Sequence, residues 1–127
     1  MRAITEEWVF KAEDDHRSAE ALLYEIETPV VDTACFHCQQ CAEKYVKAYL
    51  EEHEIDFPRN HNLMQILDLC LQLDDEFETL RLPLQSLEHY AVTIRYPGLR
   101  APFELGEEAF EVASRIREFV RKKLKAQ

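Results

Sequence analysis

The side chains with chemical potential crowd into one stretch, Cys35-Phe36-His37-Cys38-Gln39-Gln40-Cys41-Ala42-Glu43-Lys44. Three thiols and an imidazole are the donor types of a zinc or iron–sulfur site. On a helix, a spacing of three turns each cysteine about 60° from the last, so Cys35, Cys38 and Cys41 diverge instead of meeting at one point. No further CxxC and no HxxxH completes a ligand set. These cysteines, with Cys70, therefore read as small side chains at a helix seam and as thiols in a reducing compartment, with no metal and no cofactor expected.

The polar members of the same stretch suggest binding. His37, Cys41, Lys44 and Ala48 fall along one helical face, and Gln40 lies one turn before Lys44. If that face packs in a seam its polar groups need partners, and Asp15 is placed to supply one, because it interrupts the apolar stripe of the preceding helix. The alternative is that Gln39, Gln40, Glu43 and Lys44 form a solvated surface. His61 follows Pro58-Arg59-Asn60 at a helix start, where it is either a site residue or part of the cap. Arg95-Tyr96 closes a later helix, where an arginine holds a phosphate or satisfies terminal carbonyls. His89 is expected at the surface or in a cap. The chain carries no nucleophile elbow, P-loop, Rossmann fingerprint or metallohydrolase motif.

Helices must position these residues. The first carries Trp8, Ala12, Ala19, Leu22 or Leu23, and Ile26 at spacings of three and four, and should end around Thr28-Pro29. Asp32 or Thr33 is expected to cap a second helix running to about His53, with Phe36, Ala42, Val46, Tyr49 and Leu50 apolar. Asn60 is the expected cap of a third, with the stripe Leu63, Ile66, Leu67 and Cys70. A turn around Glu76–Arg81 leads to a fourth helix from about Pro83 to Ile94, with Leu84, Leu87, Ala91 and Ile94 on one side. Tyr96-Pro97-Gly98 stops it. The last helix should run from about Gly106 to Lys125 on Ala109, Val112, Ala113, Ile116, Phe119, Val120 and Leu124. There is no alternating strand pattern, repeat or dividing linker, so residues 1–127 are expected to form one domain. The expected class is all-α, an up-down antiparallel four-helix bundle with an additional short helix or turn.

The 127 residues suffice for one sizeable core, and only 2 glycines favour helices over hairpins. A net charge of −10 disfavours unaided binding of a polyanion. That charge is uneven: residues 114–127 hold six cations against Glu118 alone, net +5, and the rest of the chain holds −15. The basic end is either a solvated helix terminus suited to the helix dipole or a surface that pairs with a neighbouring subunit. No stretch reaches the ~18 apolar residues of a membrane span and the acidic N-terminus is unlike a secretory signal, so a cytoplasmic protein is expected.

The chain resembles the HEPN (higher eukaryotes and prokaryotes nucleotide-binding) domain family. The resemblance runs through Trp8, Ala12, Asp15, Ala19 and Leu22-Leu23, the block Cys35–Leu50, Phe57-Pro58 with His61-Asn62-Leu63, and Tyr90 with Arg95-Tyr96-Pro97-Gly98. It implies a bundle similar to the C-terminal domain of kanamycin nucleotidyltransferase, assembled as a homodimer or higher homo-oligomer. It also implies a partner, a minimal nucleotidyltransferase, in a two-component system of toxin–antitoxin type. A polar groove would take a nucleotide or RNA, and the groove residues carried over are Asp15, His37, Gln40, Lys44, His61, Arg95 and Tyr96. Many members are metal-independent ribonucleases in which an arginine is followed, after four to six residues, by a histidine. The nearest pair here is Arg81 and His89, with seven residues between them, and Arg95 has no histidine after it. A non-catalytic subunit is the reading this favours. The alternative is a metal-independent endoribonuclease using Arg81 and His89, or Arg95 and His61 brought together in space.

Overall fold

The computed structural model describes residues 1–93 and 97–125, and the side chains of 91–93 also lie outside the description. Helix α1 spans Ala3–Glu20 and widens into a π-helical turn at Ala21–Glu25. Helix α2 spans Val31–Glu52, α3 Leu63–Leu71, α4 Arg81–Thr93 and α5 Phe103–Lys125, with a 3-10 turn at Asp75–Leu80 leading into α4. Among the described residues every regular element is helical. The architecture is the expected all-α bundle with one additional short helix.

Helix α2 is the central element, packed against α1, α3, α4 and α5. Its composition explains why: Ala34, Cys35, Cys38, Cys41, Ala42, Val46 and Ala48 are buried around most of its circumference, and small side chains let neighbouring helices approach closely. Helices α1 and α2 run antiparallel, with Arg2 reaching Glu51 and Glu52 at one end and Asp15 reaching His37 near the other. The expected stripes of α3, and Leu84 and Leu87 of α4, are buried. So are Ala109, Ala113, Ile116, Val120 and Leu124 of α5, while Val112 and Phe119 are partly buried against the core. The cysteines lie in this core, and burial raises their thiols, Cys35 to about 11.

Several local expectations are corrected. The first helix ends at Glu25, before Thr28-Pro29, and Ile26 is exposed, as is Phe36 on α2. Helix α2 starts after Val30 with no side-chain cap, because the Asp32 carboxylate accepts instead from the Ala101 N–H at 2.8 Å and ties down the segment before α5. The cap of α3 is Asn62, whose side chain accepts from Gln65 N at 3.1 Å, while Asn60 Oδ1 accepts from Asn62 N at 3.0 Å and shapes the approach. Helices α4 and α5 each begin a few residues earlier than expected. Ile94 lies outside the described residues.

Candidate functional site

His37, Gln40, Lys44 and Lys47 follow one another on α2 at spacings of three, four and three, which places them along one face toward α1. Opposite them stands Asp15, only 7% exposed. Its two carboxylate oxygens are divided between the two α2 groups: Oδ1 lies 2.8 Å from His37 Nδ1, and Oδ2 accepts from Lys44 Nζ at 2.5 Å. A carboxylate accepts, so His37 Nδ1 is the donor and Nε2 is the ring nitrogen left to meet a ligand. Lys44 and His37 keep about a quarter of their side-chain surface in solvent. The expected pairing of Asp15 with this face is thus present, and Gln40 lies half-buried beside it.

A second cluster adjoins the first. The Glu43 carboxylate is almost wholly buried and receives Lys47 Nζ at 3.0 Å and His61 Nδ1 at 2.9 Å. Lys47 Nζ also donates to the Asn60 carbonyl at 3.3 Å and sits 5.6 Å from the ring centres of both Trp8 and Phe57. One buried ion pair therefore fastens the α2–α3 loop onto α2, and a buried charge is tolerable only when paired in this way. His61 hangs from that anchor with 71% of its side chain in solvent. Beside it opens a cleft of about 600 Å³ whose walls include Trp8, Lys47, Glu51, Asp56, Phe57, Arg59 and His61.

Sequence reasoning passed over Glu43, Lys47, Trp8 and Phe57 as site residues. The four-residue spacing of Glu43 and Lys47 is a signal that could have found the pair; Trp8 reads as one more apolar position on α1. A third cluster serves structure. Glu13 accepts from Arg117 at 2.6 and 2.7 Å and from the buried Tyr45 hydroxyl, with Arg121 alongside. The Arg117 hydrogen bonds hold the Glu13 carboxyl down at about 2.

Of the two ribonuclease candidate pairs, only Arg81 and His89 lie within the described residues, and they stand apart on α4. Arg81 is engaged by Glu78 at 2.7 Å and Asp68 at 3.0 Å, and eight residues of helix place His89 about 12 Å farther along the α4 axis. Arg95 and Tyr96 lie outside the described residues. Among the described residues no group of three or more His, Cys, Asp or Glu side chains is arranged to hold a metal.

The family model of the HEPN domain matches residues 5–123, from the first turns of α1 into the last of α5. The chain belongs to the HEPN family. Its structure is similar to the crystal structure of an archaeal HEPN homologue, with 25% sequence identity, a TM-score of 0.69, and coverage of 97% of this chain and 98% of that one. No curated protein matches the chain. In this HEPN domain the clustered polar side chains are Asp15, His37 and Lys44 at the α1–α2 seam and Glu43, Lys47 and His61 at the α2–α3 end. No helix among the described residues is long and apolar enough to cross a membrane.

Proposed function

We propose that this HEPN protein is a non-catalytic subunit that binds a nucleotide in the α1–α2 groove and docks a minimal nucleotidyltransferase, within a two-component system of toxin–antitoxin type. The observation that carries the binding half is the buried Asp15 carboxylate that holds both His37 and Lys44 at the α1–α2 seam. The Asp15-oriented pair His37 and Lys44 supplies donors for a phosphate, and the adjoining cleft offers aromatic surface at Trp8 and Phe57. Family membership supports the partner half and a homo-oligomeric assembly. Exposed Phe10, Phe36, Leu82 and Leu99 are surface apolar groups available to such contacts. The ion-paired, distant placement of Arg81 relative to His89 favours this reading over an endoribonuclease.

Isothermal titration calorimetry with ribo- and deoxyribonucleoside mono-, di- and triphosphates tests the binding half. At least one should bind, and His37→Ala and Lys44→Ala should each weaken it about tenfold or more, the loss of one charge-assisted hydrogen bond. Heat from none of them removes the nucleotide from the proposal. Co-expression with a neighbouring minimal nucleotidyltransferase should yield a complex that survives gel filtration.

A further inference from the structure

We infer that the seam between α1 and α5 is a docking surface for a helix of a partner protein, an amphipathic helix whose apolar stripe is flanked by lysine or arginine. This surface shares no residue with the nucleotide site and stands independently of it. A run of aromatic rings marks the seam. From centre to centre, the Phe103 ring lies 5.9 Å from Tyr24, Tyr24 lies 5.9 Å from Phe110, and Phe110 lies 4.7 Å from His16. His16 in turn lines a shallow cleft of about 390 Å³ together with Phe10. Phe10 is 65% exposed and Tyr24 48%, while Phe103 and Phe110 are partly buried beneath them against the core. Helices α1 and α5 run antiparallel here, with Tyr24 against the start of α5 and Glu13 against Arg117 farther along it. Phe10 and Tyr24 fall on one face of the first helix, about 20 Å apart along its axis, the length of roughly four helical turns.

Charge decides the occupant. The Tyr24 hydroxyl donates to Glu107 Oε2 at 3.4 Å, and partial burial together with the Glu107 and Glu111 charges pushes that hydroxyl's pKa up. Asp14 and Glu20 line the Phe10 cleft. All four of these carboxylates are exposed and enter no ion pair among the described residues, whereas Glu13 in the same cleft is already held by Arg117 and Arg121. Arg17 is the remaining cation of the cleft lining. Aromatic rings bordered by carboxylates complement an apolar stripe with cations beside it. The stripe is buried on the rings, the ring faces attract ammonium and guanidinium groups, and the carboxylates pair with cations at the rim. The same rim repels an acidic partner. A second copy of the chain does not supply the complement from its own basic helix end, because the cations there flank Ile116, Val120 and Leu124, which are buried in its core.

The test titrates the full chain into a labelled synthetic helix of leucine and lysine, about 18 residues long with its leucines on one face, and follows fluorescence anisotropy at about 0.15 M salt. Binding in the micromolar range is expected. A scrambled peptide of the same composition, and a counterpart with glutamate in place of lysine, should each bind about tenfold more weakly or worse. Tyr24→Ala should weaken the leucine–lysine helix about tenfold, and so should Glu107→Lys combined with Glu111→Lys. Glu54→Lys combined with Asp75→Lys makes the same change in net charge at exposed positions near the other end of the bundle, and should leave affinity within about threefold of the unaltered protein. Equal losses in the two charge-reversed proteins reduce the attraction to net charge and overturn the inference. Affinity retained in Tyr24→Ala, equal binding of the scrambled peptide, or no binding of the leucine–lysine helix overturns it as well. A chain that is dimeric in gel filtration and becomes monomeric on Tyr24→Ala assigns the seam to a second copy, which also overturns it.

Discussion

Asp15 divides its two oxygens between a lysine and a histidine, and its loss strands both. Asp15→Ala should cost about 1–3 kcal/mol, the range for leaving a charged partner unsatisfied, with the upper part discounted because Lys44 can swing into water. Asp15→Asn keeps the shape and one acceptor and should cost less; urea denaturation of the two variants checks the order. Glu13 gives the molecule an acid limb. Its folded carboxyl titrates near 2 against an ordinary 4.5, so the stabilisation from Arg117 and Tyr45 is fully present above about pH 4.5 and drains away as the pH falls toward 2. Thermal melts from pH 5 to 2 should fall less steeply for Glu13→Gln than for the unaltered chain, and an equal slope would refute the assignment. The two carboxylates also differ in how far the sequence announced them. Asp15 is a charge on an apolar stripe and asks for a buried partner. Glu13 has no such signature, since its main partner lies 104 residues away.

At the scale of elements, close approach decides where α5 sits. A Cβ on Gly106 would meet Leu23 Cδ2 and Val31 Cγ1, each at 2.8 Å. Leu23 can turn its methyl aside, whereas Val31, β-branched and stiff at the start of α2, cannot. Gly106→Ala should therefore destabilise by about 1–3 kcal/mol as an overpacked core does, and Val31→Ala in the same chain should recover part of the loss. A double-mutant cycle in urea with no coupling would show that α5 yields instead. The cap of α3 is a smaller lever: Asn62→Ala should cost about 1 kcal/mol, and Asn60→Ala less. Existence and order of the helices were readable because each carries a stripe at helical spacing. Their ends were less so. Asn60 and Asn62 are chemically equivalent caps, and only the loop fastened by Lys47 chooses between them; Asp32 was a good cap until tertiary structure offered it Ala101.

For the whole molecule, the uneven charge takes on a different meaning from the one its linear order suggests. The cations of the last helix turn back on their own body: Arg117 and Arg121 to Glu13, Lys123 to Asp74 at 2.8 Å and Glu76 at 2.6 Å, Lys122 to Glu118 at 3.6 Å. In the chain alone the basic end of +5 reads either as a solvated helix terminus or as a docking surface; in the bundle Arg117, Arg121 and Lys123 serve as clamps onto Glu13, Asp74 and Glu76. The exposed cations left on α5 are Arg115, Lys122, whose partner is the exposed Glu118 of the same helix, and Lys125, and the field seen from a distance remains that of a chain at −10. Nucleic-acid affinity grows with the number of phosphates neutralised and vanishes where a continuous basic track is lacking. A labelled single-stranded RNA followed by fluorescence anisotropy at about 0.15 M salt should accordingly bind this chain more weakly than ~10⁻⁴ M, below the usual non-specific range. If RNA binds in the micromolar range with a steep salt dependence, the anionic-field argument fails and the groove must carry the RNA despite it.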